Sequence, residues 1–197
     1  MYLSYGKHYI EIQSYESKTE MMNVLSKCEG GRLILGESAE QQTFFYLIKI
    51  HLGWNGKLLF GIGICSEEYG LKPHLLLKPQ DSELLLGFNN EVVAVGVEDR
   101  KIHFRILLDS LFHAFLTLEK PKHILVFHEI GLLALDNTGQ KLWEYEEDVI
   151  EDFDIIEDCL NIKFMDASPI SLNLQNLSIH KLHEFFNTPV QKIRAVG

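Results

Sequence analysis

Cysteine is scarce in this chain, and long apolar runs and a leader pattern are missing. Cys28, Cys65 and Cys159 lie far apart and form no C-x-x-C pair. Isolated cysteines in odd number are typical of reduced thiols packed in a core, so we expect no disulfide framework and a cytoplasmic location. The segment from Met1 to Tyr5 has no basic stretch followed by an apolar one, so we expect neither a secretory signal nor a membrane anchor.

Positive charge is also in short supply. Lysine and arginine number 18 against 28 aspartates and glutamates, which gives a formal net charge of −10. Because an acidic protein repels phosphate backbones, the composition argues against nucleic acid as a partner. It favours a protein partner with a basic surface.

The usual nucleophile and nucleotide-binding motifs are absent. The sequence contains no G-x-S-x-G and no G-x-x-x-x-G-K-[ST]. Gly61-Ile62-Gly63 lacks a third glycine and a following helix, which indicates a strand packed closely against a neighbour. Cys65 precedes Glu67-Glu68, whose negative potential raises a thiol pKa and disfavours a nucleophile. We therefore expect no catalytic residues and no enzyme activity.

Histidines do not form a convincing metal site. His180 and His183 could share a helix face at i and i+3 and hold a metal, but two residues on the polar face of an amphipathic helix explain the same spacing. The glutamate follows both histidines instead of lying between them, so this is not a zinc-protease motif. We expect neither a metal nor any other cofactor.

The residues that are present predict a mainly β protein. Asn55-Gly56 between two apolar runs indicates a hairpin, and short strands recur to about residue 174, separated by turn-forming residues. Ser17 and Glu20 form a capping-box pair before an apolar stripe, which predicts a helix over 17–28. A second apolar stripe predicts another short helix over 178–186.

An internal repeat lies in the second half. Val93-Ala94-Val95 aligns with Leu133-Ala134-Leu135 at an offset of about 40 residues, the period of a four-stranded propeller blade. The segment from Leu132 to Tyr145 resembles the blade repeat of quinoprotein-like (pyrroloquinoline-quinone-type) β-propellers, with an Ala-x-Asp strand end, a Thr-Gly turn and a Leu-Trp pair. The earlier copy has different residues at the positions of Asp136, Gly139 and Trp143, namely Gly96, Asp99 and His103.

The resemblance covers about residues 84–174 and extends to short bacterial proteins of unknown function that share this blade element. It implies a local fold without implying the quinone cofactor. We expect antiparallel blade-like sheets packed as a sandwich or an incomplete propeller. Residues 1–197 are predicted to form one domain, in which an N-terminal part, 1–70, packs on the repeat part, 84–174, and on the helix over 178–186.

An acidic run stands out near the end of the repeat. Between Leu142 and Ile162 the sequence has nine acids and no lysine or arginine, which leaves the rest of the chain close to neutral. A solvated face that blocks edge-to-edge aggregation is one explanation, and a contact surface for a basic partner is the other. The candidate partner-binding residues are Glu146, Glu147, Asp148, Asp152, Asp154 and Asp158.

The two-residue period of a strand assigns faces within this run. Phe153 and Ile155 should point inward together with Glu151, and Asp152 and Asp154 should point outward.

Two functions remain open. The leading hypothesis is a non-enzymatic interaction module, for example an immunity-type protein that neutralises a basic toxin. The alternative is a small-molecule binder or enzyme with a pocket between the N-terminal part and the repeat part. Its candidate lining residues are Phe44, Phe45, Tyr46, Trp54 and Trp143.

Overall fold

The computed structural model describes residues 2–5, 8–38, 41–53, 56, 58–67, 71–78, 82–118 and 123–182, with only the backbone for 2–5. Within these residues the protein is mainly β, with one helix, α1, Lys18–Leu25. The strands are β1 Tyr2–Tyr5, β2 His8–Tyr15, β3 Arg32–Leu35, β4 Gln42–Leu52, β5 Leu58–Glu67, β6 His74–Lys78, β7 Glu83–Phe88, β8 Glu91–Gly96, β9 Ile102–Leu107, β10 Phe112–Leu118, β11 His123–His128, β12 Gly131–Leu135, β13 Lys141–Glu146, β14 Ile150–Ile156, β15 Cys159–Phe164, β16 Ile170–Asn173 and β17 Ile179–Lys181.

The first five strands form sheet A, in the order β1-β2-β4-β5-β3. Strands β4 and β5 pair antiparallel, which confirms the predicted hairpin, although Asn55 lies outside the described residues. Strand β3 runs parallel to β5, because the chain returns to that edge after α1.

Helix α1 packs on a glycine pair in β5. Ser17 begins the helix as predicted, its hydroxyl oxygen accepting a hydrogen bond from the Glu20 backbone N–H at 3.2 Å. A Cβ at Gly61 would lie 2.7 Å from both Cys28 Sγ and Leu25 Cδ1, so only glycine allows this approach. The prediction of a closely packed glycine strand is confirmed.

Three four-stranded antiparallel meanders follow, each with its strands in chain order. Sheet B contains β6 to β9, sheet C contains β10 to β13, and sheet D contains β14 to β17. Their first strands begin every 38 residues, at 74, 112 and 150. The segments aligned in the sequence are the third strands of sheets B and C, and sheet D has the same strand order without an aligned segment.

The chain divides by its internal contacts into unit 1, residues 1–145, and unit 2, residues 146–197. In unit 1, one face of sheet B packs against sheet A, and its other face packs against sheet C. Strands β7 and β8 are therefore buried along their whole length, which explains their nearly continuous apolar sequences. In unit 2, sheet D buries apolar side chains from β15 and β16. The expectation of antiparallel sheets packed as a sandwich or incomplete propeller is confirmed at the level of fold class, and none of the four sheets closes into a barrel.

The predicted helix over 178–186 is wrong where the structure describes it. Residues Ile179–Lys181 form β17, which pairs antiparallel with β16. The Asn173 side chain accepts hydrogen bonds from the backbone of the next turn, and Leu177 has a φ of +58°, so the chain reverses onto the sheet edge. Pairing with the preceding strand across the Asn173 turn therefore overrides the helical pattern of the segment. Residues 183–186 lie outside the described residues.

Candidate functional site

The acidic hairpin of the sequence is formed by β14 and β15 in unit 2. Phe153 and Ile155 lie opposite buried residues of β15, so both point to the buried face of sheet D. Asp152 and Asp154 point to the other face, as the two-residue period predicts.

A β-bulge at the start of β14 changes one part of this assignment. The register shifts between Ile150 and Asp152, so Ile150 lies opposite buried Phe164. Glu151, predicted to point inward, is instead exposed, and its carboxylate lies 2.6 Å from Lys163 Nζ.

Neighbouring strands supply bases that the acidic run itself lacks. Besides the Glu151 pair, Glu147 receives a hydrogen bond from Lys181 Nζ at 3.1 Å. The acidic run therefore has lysines nearby in the folded chain, although its own sequence contains none. Part of their mutual repulsion is offset by lysines that β15 and β17 bring to the hairpin.

The remaining candidate acids differ in the contacts that they make within unit 2. Asp148 Oδ2 accepts the Asp166 N–H at 2.9 Å, and Asp158 Oδ2 accepts from Gln175 Nε2 at 2.6 Å. Glu146 is exposed at the end of β13. Asp152 and Asp154 make no ion pair with any residue the structure describes.

Large apolar side chains are exposed on the same strand. Phe153 and Ile155 keep 46% of their surface accessible and Ile156 keeps 50%. Strand β14 is also a terminal strand of sheet D, so its outer edge has no strand neighbour among the described residues. The hairpin thus offers an open edge, apolar side chains and acids together.

A groove in unit 1 is the second candidate site. It has a volume of about 830 Å³ and opens between sheet A and the start of sheet B. Phe44 and Tyr46 line it, as the alternative hypothesis expected, whereas Phe45 packs on the opposite face of sheet A against α1. Trp143 is not among its lining residues, and Trp54 lies outside the described residues.

The turn from Asp136 to Gly139 is held by hydrogen bonds to one carboxylate. Asp136 Oδ1 accepts hydrogen bonds from the Thr138 and Gln140 backbone N–H groups, at 2.8 and 2.9 Å. The Thr138 hydroxyl also donates to Asp136 Oδ1, at 2.8 Å, and this bond, followed by the backbone bonds, holds the pKa of the Asp136 carboxyl below its usual value. Gly139 has a φ of +84°, and a Cβ there would lie 2.3 Å from the Phe104 ring. Trp143 is half-buried, and its indole N–H has no hydrogen-bond partner in the described part of the chain.

In sheet B the corresponding positions carry a charge network instead. His103 Nδ1 lies 2.6 Å from Glu83 Oε1, and His103 Nε2 lies 3.1 Å from Asp99 Oδ2. Lys78 Nζ donates to the other oxygen of Glu83 at 2.6 Å. Contact with Glu83, and then with Asp99, raises the pKa of His103, and the His103 contact lowers the pKa of Asp99.

This network predicts a stability difference that depends on pH. A histidine whose pKa is raised in the folded state stabilises the fold at pH values below its unfolded-state pKa of about 6.5. This contribution to stability is lost as the pH rises through the folded-state pKa. We expect His103→Gln to lower the free energy of unfolding more at about pH 5.5 than at about pH 9. Denaturant titrations of both proteins at both pH values measure this difference.

Subtracting the variant from the parent protein isolates His103. Burial lowers the pKa of His74 and of His128, which gives the opposite pH dependence, but both proteins share that contribution. An equal loss of stability at the two pH values would show that protonation of His103 does not contribute to the free energy of unfolding.

A serine–histidine contact in sheet C closes a hairpin. Ser110 Oγ lies 2.8 Å from Nδ1 of buried His128 and accepts the Ile130 backbone N–H at 3.3 Å. The Ser110 hydroxyl thus links the turn between β11 and β12 to the loop before β10 through hydrogen bonds. His180, considered for a metal site, is exposed on β17, and His183 lies outside the described residues.

Comparison with known proteins leaves these sites to be interpreted by their geometry. No protein-family model and no curated protein matches this chain. No helix in the described part is long and apolar enough to cross a membrane.

Proposed function

We propose that this chain is a non-catalytic protein-interaction module and that β14 docks a partner with a basic surface. The observation that supports this most is that one terminal strand carries both exposed apolar side chains and acids outside any ion pair among the described residues. Phe153 and Ile155 present the apolar face, and Asp152 and Asp154 present the acidic face. Exposed apolar surface beside complementary charge is typical of contact sites.

The open edge suggests how such a partner binds. A strand added beside β14 would satisfy its outer backbone groups, which is the recognition mode called β-augmentation. Residues of the added strand would alternate between the two faces of β14. A partner strand that alternates basic and apolar residues therefore fits both faces at once.

An immunity-type role is the specific form of this proposal. A protein that neutralises a basic toxin benefits from an acidic surface, because charge complementarity speeds association. The cytoplasm is the compartment we propose, because the cysteines are all unpaired and Cys28 and Cys65 are buried as small core residues.

Charge reversal on β14 tests the proposal. We expect Asp152→Lys combined with Asp154→Lys to weaken binding of an acetylated peptide of alternating lysine and valine by about tenfold, which is about 1.4 kcal/mol. The fold should remain intact, because both side chains are at the surface. Fluorescence anisotropy of a labelled peptide measures the dissociation constant.

A matched variant separates local from overall charge. Glu16 and Glu98 are exposed residues of unit 1, so reversing both changes the net charge equally without touching β14. Peptide affinity should stay close to that of the parent protein. Equal weakening of peptide binding by the two double variants would show that Asp152 and Asp154 contribute only through the net negative charge of the protein.

A further inference from the structure

The groove of unit 1 is the open end of the contact between sheets A and B. Along β4, Ile48 is fully buried, Tyr46 keeps 8% of its surface accessible, and Phe44 keeps 43%. The side chains that face sheet B thus become progressively more exposed toward this end. Phe115 of β10 contributes a further aromatic lining residue.

A small residue on β2 leaves this space open. The side chains of β2 that point toward sheet B are Ile10, Ile12 and then Ser14. Ser14 lies directly opposite Tyr46, where a third large apolar side chain would continue the core. Because serine fills little volume, the side chains of sheets A and B do not pack closely here, and a groove remains at this end of the core.

The charge of the groove differs from that of the whole chain. Lys72 is a lining residue, and none of the lining residues that the structure describes is an aspartate or glutamate. His74 also lines the groove, and burial lowers its pKa, so its imidazole stays neutral at physiological pH. A protein with a net charge of −10 therefore has here an apolar groove in which, among the described residues, the formally charged side chain is a cation.

Tyr46 provides a hydrogen-bond donor on the wall of the groove. Its side chain is more than nine-tenths buried, yet its hydroxyl makes no hydrogen bond with any residue the structure describes. Burial raises the pKa of Tyr46, which keeps the hydroxyl protonated and able to donate. The hydroxyl oxygen is not among the buried polar atoms that lack a partner in the described part of the chain, so it reaches the accessible surface of the groove and can donate to an oxygen of a ligand there.

We propose that this groove binds a small monocarboxylate with an elongated apolar body. Apolar and aromatic walls suit the body, Lys72 matches the negative charge, and the Tyr46 hydroxyl offers a donor to an oxygen of the ligand. The volume of about 830 Å³ is within the range of small-molecule sites. All the residues that line this site belong to unit 1.

Decanoate is a suitable probe, and decyltrimethylammonium is its matched opposite, with the same chain length and a positive head. Isothermal titration calorimetry, below the micelle concentration of each, should show saturable binding of decanoate and at least tenfold weaker binding of decyltrimethylammonium. Lys72→Gln should weaken decanoate about tenfold, and Tyr46→Phe should weaken it several-fold. Lys101→Gln, at an exposed lysine outside the groove, should have no effect.

Filling the groove separates binding from folding. Ser14→Phe places a ring in the space and should abolish decanoate binding while the unfolding midpoint stays the same or rises. Ser14→Ala removes the hydroxyl without filling the space and should bind decanoate normally. The proposal is overturned if decyltrimethylammonium binds as well as decanoate, if Ser14→Phe still binds, or if no saturable binding of decanoate occurs.

Discussion

Phe112→Ala is expected to cost unit 1 about 3–5 kcal/mol of unfolding free energy, the usual cost of removing a fully buried aromatic ring. Phe112 is buried between sheets B and C. Its ring lies against the backbone of Gly87, where a Cβ would be 2.2 Å from the ring, so neighbouring side chains have little room to fill the cavity. Urea titration followed by circular dichroism measures the loss.

The same ring supports two groove residues. The Phe115 ring lies 4.7 Å from the Phe112 ring, and the His74 ring meets it edge-on at 5.6 Å. Phe112→Leu should therefore retain more stability than the alanine variant. Phe153→Ala, at a side chain about half exposed, should cost less than about 1 kcal/mol. A loss below about 1 kcal/mol for Phe112→Ala would contradict the packing of sheet B on sheet C.

Gly61→Val is expected to have the second largest effect, about 3 kcal/mol of destabilisation, at the upper end of overpacking costs. The new Cβ would lie 2.7 Å from Cys28 Sγ and from Leu25 Cδ1, so α1 must move away from β5. The φ angle of Gly61 is an ordinary one, so the effect comes from packing and not from backbone strain. Thermal or urea unfolding measures it.

Two further variants identify the cause. Gly63 lies on the same strand with slightly more room, 3.1 Å to Met21 Cε, so Gly63→Ala should cost less than Gly61→Ala. Cys28→Ala removes one of the two clashing atoms and should recover part of the loss in the double variant with Gly61→Ala. Strictly additive effects would show that Gly61 and Cys28 do not meet.

Sequence features that act locally were the most informative about the fold. The Ser17 cap and the glycine pair Gly61 and Gly63 act through neighbouring residues or close packing, and both predictions are confirmed. The segment at 178–182 depends on pairing with β16, and its local pattern indicated a helix instead. Hairpin pairing with the preceding strand, which the apolar pattern within the segment does not show, decided the outcome there.

The candidate surfaces depended on information that a sequence does not display. Lys163 on β15 pairs with Glu151 across the hairpin, Lys181 reaches Glu147 from β17, and the bulge that exposes Glu151 breaks the two-residue period. One sequence feature indicates the groove. On β2, the polar Ser14 follows Ile10 and Ile12 among the side chains that face sheet B. That signal becomes meaningful only once Tyr46 is known to lie opposite it.

The single-domain organisation and the resemblance to quinoprotein-type blades stay predictions. Three meanders at a spacing of 38 residues agree with repeated sheet-forming segments. The turn at Asp136 and Gly139 has the hydrogen bonds and positive φ that such a repeat requires. These observations concern each sheet by itself.

Hydrogen–deuterium exchange in the presence of the basic peptide tests the proposed function most directly. A strand added to β14 would protect its outward amides, so the account predicts slower exchange confined to peptic fragments that cover residues 150–156. Raising the salt concentration from about 0.05 to about 0.5 M should reduce that protection, because screening shortens the reach of surface charges. Protection elsewhere with none on β14, or protection that is unchanged by salt, would contradict the proposal that β14 docks a basic partner.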